Sequence, residues 1–150
     1  MRSLKNILIV WLGAVAAAVV SVFIARRVVP VYGDETNNEF SIVAAMSGQS
    51  FESKAENLRE GRVLALFGGV ELDLVGAAIG NGATIILHAV LGGIDVIVPP
   101  GWRVEAITNE MLGGIGNRTN PDGQDDDAPL LLIDATAVLG GIEIHVQDVA

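Results

Sequence analysis

The chain has no cysteine among its 150 residues, which excludes a disulfide framework, a thiolate nucleophile and a cysteine-based metal site. Aromatic residues make up only 5% of the sequence while hydrophobic residues make up 51%, so aliphatic side chains must build the core. Basic residues are scarce from Asp34 onward, where all 18 acids stand against five bases: Lys54, Arg59, Arg62, Arg103 and Arg118. This charge balance repels nucleic acid, so the sequence predicts no nucleic-acid partner.

Charged residues are also missing from one long apolar segment near the start of the chain. The 19 residues from Ile7 to Ala25 carry no charge, with Trp11 near one end and Arg26-Arg27 directly after the other. As a helix this segment is about 28 Å long, close to the thickness of the hydrocarbon core of a bilayer. We therefore expect residues 1–27 to be a single-pass membrane anchor and residues 28–39 to be a linker, with Ile7, Trp11 and Ala25 in the lipid.

The orientation of this anchor rests on few charges. Arg2 and Lys5 precede the apolar segment, and Arg26 and Arg27 follow it. Two basic residues against two do not decide which side is cytoplasmic, but Arg26-Arg27 directly abut the helix. This favours a cell-membrane protein whose C-terminal domain is cytoplasmic.

The dominant pattern is a Gly-Gly pair with an apolar residue before it and alternating apolar and acidic residues after it. Phe67-Gly68-Gly69-Val70-Glu71-Leu72-Asp73 recurs with variations, at steps of 21 to 27 residues. A period of this length is typical of stacked repeats, in which like positions form columns and the apolar columns become a continuous core. The glycines of the turns are Gly48, Gly68, Gly69, Gly92, Gly93, Gly113, Gly114, Gly140 and Gly141.

Two structures fit the Gly-Gly pair. It could form a two-residue hairpin turn, which gives an antiparallel meander, or the corner between two short strands of one solenoid coil. The regular period favours the second structure. We expect an all-β fold: one β-solenoid or β-helix-like domain of about five Gly-Gly repeats over residues 40–150, closed by the repeat from Leu130 to Val149. Either turn would give the glycines positive φ, so Gly93→Val should be destabilising.

Few residues suggest chemistry. His88 and His145 fall in different repeats at non-equivalent positions, and no serine has a nucleophile-elbow context. We therefore expect no enzymatic activity and no catalytic, metal or cofactor-binding residues. Trp102 follows Pro99-Pro100-Gly101, where it either packs over the end of the core or makes a partner contact. Solenoid ends are open edges, so self-association is a further expectation.

Several phrases resemble a known family. Arg62 to Leu74, then Leu91-Gly92-Gly93-Ile94-Asp95-Val96-Ile97-Val98-Pro99 and Gly101-Trp102-Arg103-Val104, and finally the closing repeat at Leu139, are similar to the LiaF-type C-terminal domain of cell-wall-active-antibiotic response proteins. That resemblance covers roughly Phe40 to Val149. It implies a β-helical "toast-rack" domain in bacterial membrane proteins that restrain a sensor histidine kinase of the envelope-stress response. The family's namesake has several membrane helices, whereas this chain has one apolar segment.

The pattern and the resemblance together give two expectations for function. The first is a membrane-anchored, non-enzymatic protein-interaction module that regulates or senses cell-envelope stress, with the lipid bilayer and a protein, such as a sensor histidine kinase, as partners. The alternative is an extracytoplasmic structural or adhesin-like β-solenoid. The side of the membrane on which the domain lies distinguishes the two.

Overall fold

A computed structural model describes residues 4–14, 16–17, 31–119 and 127–147 of the chain. The chain forms two compact units, Met1–Pro30 and Val31–Ala150. In the first unit, residues 4–14 and 16–17 are helical and include the predicted anchor residues Ile7 and Trp11, both with exposed side chains. The third predicted anchor residue, Ala25, lies outside the described residues. Over the part of the chain that is described, no helix has both the length and the apolarity needed to cross a membrane.

The described part of the second unit is all-β and contains ten strands in five consecutive pairs. Each pair is joined by a tight corner, and we call a pair with its corner a rung. The strands are β1 (Glu39–Ala45) and β2 (Gly48–Glu52), β3 (Glu60–Leu66) and β4 (Gly69–Asp73), β5 (Ala83–Val90) and β6 (Gly93–Val98), β7 (Arg103–Met111) and β8 (Gly114–Arg118), and β9 (Leu130–Val138) and β10 (Gly141–Val146).

The strands form two five-stranded sheets, and all of the pairs within these sheets are parallel. The order in the first sheet is β1-β3-β5-β9-β7, and the order in the second is β2-β4-β6-β10-β8. Like positions of the repeats lie side by side; for example, Gly93 is in register with Gly69 and with Gly141. The antiparallel meander is therefore wrong. Each Gly-Gly corner takes the chain from one sheet to the other instead of reversing it within a sheet.

The fourth and fifth rungs exchange places in space. The β9/β10 rung lies between the third rung and the β7/β8 rung, so the prediction that the last repeat closes the stack is wrong. The inward positions give the physical reason. Thr108, Glu110 and Asn117 of the fourth rung are exposed and stand in register with Ala135, Ala137 and Ile144, which are fully buried. The rung with polar inward residues lies at the end of the stack, where these side chains reach water.

The core is a single cluster of aliphatic side chains from both sheets. Ile85, Leu87 and Ile133 come from one sheet and Val96 and Ile144 from the other, and all five are fully buried. The alanine column next to the corners is buried too, at Ala44, Ala65, Ala89 and Ala137. At about 25 cal/mol for each Å² of apolar surface buried, this cluster provides most of the stabilisation in a chain with few aromatic residues.

Trp102 belongs to this core. Its side chain is only 7% exposed and packs in the same cluster, after the turn that follows β6. The packed interpretation is thus the one the structure supports, and Trp102 is not a surface residue for a partner.

The corners have a conformation that differs from the prediction. Positive φ belongs to the apolar residue before each glycine pair, at 53–59° in Met46, Phe67, Leu91, Leu112 and Leu139, and not to the glycines. The first glycine of a pair is required by a close approach instead. A Cβ on Gly92 would overlap the carbonyl oxygen of Gly68 in the next rung, and the same holds at Gly68, Gly113 and Gly140 against their neighbours.

The second glycine of each pair has room for a side chain. A Cβ on Gly93 would lie 3.8 Å from the nearest heavy atom, the carbonyl oxygen of Gly141, which is an ordinary contact. The prediction that Gly93→Val is destabilising rested on positive φ at Gly93. That reason is wrong, because Gly93 has neither positive φ nor a close neighbour.

The β1 end of the stack is partly covered by the segment before it. Tyr32 forms an antiparallel bridge with Ser41 of β1, and the two residues exchange backbone hydrogen bonds of 2.8 and 3.2 Å. The rings of Phe40 in β1 and Phe51 in β2 pack against each other, tilted by 34° with their centroids 4.7 Å apart. The bridge between Tyr32 and Ser41 occupies part of the β1 edge of the first sheet, which reduces its capacity for further strand pairing.

Candidate interaction surface

The outer face of the second sheet carries a line of carboxylates. Glu71 of β4, Asp95 of β6 and Glu143 of β10 are in register on adjacent strands, and we call them the acidic row. Glu52 and Asp73 lie one step further along the outer face of β2 and β4. The outward positions therefore hold five carboxylates on four neighbouring strands.

Basic side chains lie beside three of these five carboxylates, and Nζ of Lys54 is 3.9 Å from Oε1 of Glu52. The Nε of Arg118 lies 3.1 Å from Oε1 of Glu143, and Nδ1 of His145 lies 3.1 Å from Oδ1 of Asp95. The ion pairs of the described residues do not include Glu71. Exposed ion pairs of this kind contribute little to the stability of the fold, so their main effect here is on the electrostatic potential of the outer face. The carboxylates of this face that have no basic neighbour among the described ion pairs, Glu71 and Asp73, both lie on β4.

Beside the acidic row runs a strip of the sheet without side chains. The second glycines of the five corners stand in register across all five strands, and we call this strip the glycine trough: Gly48, Gly69, Gly93, Gly141 and Gly114. The glycine trough and the acidic row line a shallow, open depression of about 780 Å³. Backbone forms its floor, so another chain can approach the sheet closely there.

On the other side of the glycine trough, the corners present a row of apolar side chains. We call this row the corner ladder: Met46, Phe67, Leu91, Leu139 and Leu112, in spatial order. Backbone hydrogen bonds hold its members at rung spacing, with the N–H of Leu91 donating to Val138 at 3.0 Å and that of Leu139 donating to Met111 at 3.0 Å. All five side chains are 39–80% exposed.

A second apolar row widens the corner ladder on the first sheet. The last residues of its strands are in register and are all aliphatic or methionine: Ala45, Leu66, Val90, Val138 and Met111. Ala45 and Leu66 are buried, Val90 and Val138 are half-buried and Met111 is exposed, so this row widens the ladder over β5, β9 and β7. Adjacent apolar rows of this extent on a protein surface commonly mark an interaction site.

The titratable groups do not assemble into a metal centre within the described ranges. No cluster of three or more His, Asp or Glu residues there has a geometry that could hold a metal ion. His88 lies on β5 and His145 on β10, in different sheets.

Of the nine glycines predicted to form turns, Gly68, Gly92, Gly113 and Gly140 lie in the corners and the other five are the first residues of strands. The functional interest of the apolar residue before each pair was missed, although its recurrence at all five corners is visible in the sequence. No family model, curated protein or solved structure matches this chain.

Proposed function

We propose that this chain is a membrane-anchored, non-enzymatic protein-interaction module, and that the corner ladder is its contact surface. In this proposal the acidic β unit is a β-solenoid that presents the ladder to a protein partner. The segment from Ile7 to Ala25 holds it at the cell membrane.

The observation that carries the proposal is the choice of residues in the corner ladder. Each member has positive φ, a conformation that costs a non-glycine L-residue roughly 1–2 kcal/mol and that glycine or asparagine adopts more readily. Each is also apolar and exposed, so it gains only part of the free energy of burial. Folding alone does not explain why an unfavourable residue type recurs at five equivalent positions. A contact of these side chains with another protein does.

The β-solenoid assignment rests on the repetition of the backbone. All five rungs have the same corner conformation, and their strands pair in parallel and in register. A stack of this kind offers an extended surface built from equivalent positions, which suits binding along the stack. The exchange of the fourth and fifth rungs distinguishes it from a solenoid whose coils follow in chain order.

The biological setting that we propose is regulation or sensing of cell-envelope stress. Its support is the similarity to the LiaF-type C-terminal domain, whose relatives restrain a sensor histidine kinase, together with the charge-free N-terminal segment. A kinase is accordingly the partner that we propose first. An extracytoplasmic adhesin-like role is the alternative, and the side of the membrane decides between them.

Photocrosslinking in the native organism tests the interaction. A benzoylphenylalanine in place of Leu139 keeps the ladder apolar. The matched control carries it in place of Glu56, an exposed residue outside the acidic row, the glycine trough and the corner ladder. We expect an ultraviolet-dependent adduct with an integral membrane protein at Leu139 and none at Glu56. Equal adducts at the two positions, or none at either, would refute the proposal.

Topology is measured on the same cysteine-free chain. Glu56→Cys provides a single thiol, which a membrane-impermeant maleimide labels in intact cells only if the β unit lies outside. Labelling that requires lysis supports a cytoplasmic contact with the kinase. Labelling of intact cells would favour the extracytoplasmic alternative.

A further inference from the structure

We propose that the glycine trough binds a cationic amphipathic α-helix of the partner, which lies across the strands. In this arrangement the corner ladder contacts the apolar stripe of the helix, and the acidic row pairs with its Lys or Arg side chains. This inference rests on the proposed function, because it specifies the chemistry of the partner at that same surface.

The length of the surface suits a short helix. Strands of a sheet are about 4.8 Å apart, so five rungs give a surface about 19 Å long. A helix rises about 1.5 Å per residue, so about 13 residues span it. An extended strand would need fewer residues, but it would also need free backbone groups, and the trough lies on the face of the sheet where the backbone groups pair with one another.

The width of the trough also matches a helix. Within one rung, Leu91 of the ladder precedes Gly93 by two residues, and Gly93 precedes Asp95 by two more. Each two-residue step covers at most about 7 Å, so the ladder and the acidic row flank the glycines at a separation of at most about 14 Å, which leaves room for the roughly 10–12 Å diameter of a helix. Because the glycines have no side chains, the helix can rest directly on the backbone.

The distribution of charge specifies the partner further. Basic side chains already lie beside Glu143 and Asp95, whereas Glu71 and Asp73 over β4 have no basic partner among the described ion pairs. The basic residues of the helix should therefore lie mainly over β4. Complementary charges of this kind determine specificity and association rate, while the buried apolar contacts provide most of the affinity.

The negative charge of the surface also argues against other binding partners. An anionic membrane surface would be repelled by the acidic row, as would nucleic acid. A second copy of the β unit would present the same acidic face. Its own bases number five against 18 acids. A cationic helix combines both features that the surface requires, an apolar stripe and positive charge beside it.

The first test is to map the partner segment in the Leu139 adduct by mass spectrometry. We expect a helical segment with an apolar stripe and at least two Lys or Arg residues beside it. An acidic or uncharged segment would overturn the inference but leave the proposed function standing. Absence of any adduct would remove the proposed function as well.

The second test measures binding directly with the full-length chain in zwitterionic nanodiscs. The probe is a fluorescein-labelled 14-residue helical peptide of Leu and Lys, and the matched control peptide has Glu in place of every Lys. Anisotropy above that of empty nanodiscs reports binding. We expect the Lys peptide to bind at least tenfold more tightly than the Glu peptide, with the difference shrinking at high salt. Equal binding of the two peptides would overturn the inference.

Variants then locate the peptide. Glu71→Lys and Leu91→Asn should each weaken binding of the Lys peptide about tenfold, whereas Glu56→Lys, which makes the same charge change outside the trough, should change it less than twofold. Binding that is insensitive to Glu71→Lys and Leu91→Asn would overturn the inference. So would self-association, or attachment to anionic vesicles, that Leu91→Asn abolishes, because the occupant would then be a second copy or a membrane.

Discussion

Gly92 and Gly93 look equivalent in the sequence, yet the structure gives them opposite tolerance to a methyl group. A Cβ on Gly92 would overlap the carbonyl oxygen of Gly68 and would lie 3.1 Å from its nitrogen. Both are backbone atoms, which cannot rotate away. A Cβ on Gly93 would meet its nearest atom at 3.8 Å.

The cost of Gly92→Ala can be estimated from the atoms that must move. Relieving the overlap requires the second and third rungs to separate locally by about 1 Å, which breaks the 3.0 Å hydrogen bond from the N–H of Gly93 to the oxygen of Gly68. Loss of that bond costs about 1 kcal/mol and the remaining overpacking about 2 kcal/mol. Gly93→Ala instead reduces the entropy of the unfolded chain and should stabilise by about 0.5 kcal/mol.

Urea unfolding of the full-length chain measures the difference. Trp102 is buried in the core and reports unfolding of the β unit by fluorescence, provided that Trp11→Phe removes the other tryptophan. We expect Gly92→Ala to lower the free energy of unfolding by about 3 kcal/mol with an unchanged denaturant slope. A loss below about 1 kcal/mol, or an equal loss in Gly93→Ala, would refute the account of the corners.

Three further predictions concern the corners and the loop before β1. Leu91→Asn should leave the free energy of unfolding within about 1 kcal/mol of wild type, because asparagine tolerates positive φ; a loss above about 2 kcal/mol in the urea assay would contradict this. Ser47 occupies the position of the first glycine on the end rung, whereas a Cβ on Gly68 would overlap the carbonyl oxygen of Ser47. Ser47→Gly should therefore lower the free energy of unfolding by less than about 1 kcal/mol and Gly68→Ser by about 3 kcal/mol. Equal effects in the urea assay would contradict this. The Asp34 carboxylate accepts hydrogen bonds from the side chain and backbone of Thr36, which lowers its pKa below the ordinary value of 3.8. The stability that these hydrogen bonds give is present above that pH and is lost as the carboxylate is protonated below it. Asp34→Ala should therefore lower the melting temperature at pH 7 and have progressively less effect below pH 3.8. A difference in melting temperature that does not change with pH would contradict the assignment.

The class of fold could be predicted because two sequence periods coincide. Alternation after each Gly-Gly pair, as in Val70, Leu72 and Leu74 against Glu71 and Asp73, indicates a strand with one buried face. The period of 21 to 27 residues places such strands in columns. Strand direction could not be derived in the same way, because a glycine pair suits a hairpin and a corner equally well. Hydrogen bonds between distant residues decide it, and the sequence does not display them.

The order of the rungs was predictable in principle from one residue. Glu110 stands where every other repeat has alanine, and a carboxylate at an inward position needs either a partner or water. Its Oε1 accepts a hydrogen bond of 2.9 Å from the N–H of Ile115, which is possible because its rung is at the end of the stack. A polar residue in an otherwise apolar column is thus a signal for a terminal rung, whatever its place in the chain order.

The candidate surface was harder to predict because its two halves follow different rules. The acidic row follows from strand alternation, which puts Glu71, Asp95 and Glu143 at equivalent outward positions. The corner ladder follows no propensity rule, since leucine is a poor choice for positive φ and gains little from a position where it is exposed. A sequence method that rewards local consistency treats such residues as part of the core pattern. These residues are apolar yet exposed to water, and they have a backbone conformation that suits glycine better. Because this combination recurs at equivalent corners, they are the best candidates for contact with another protein.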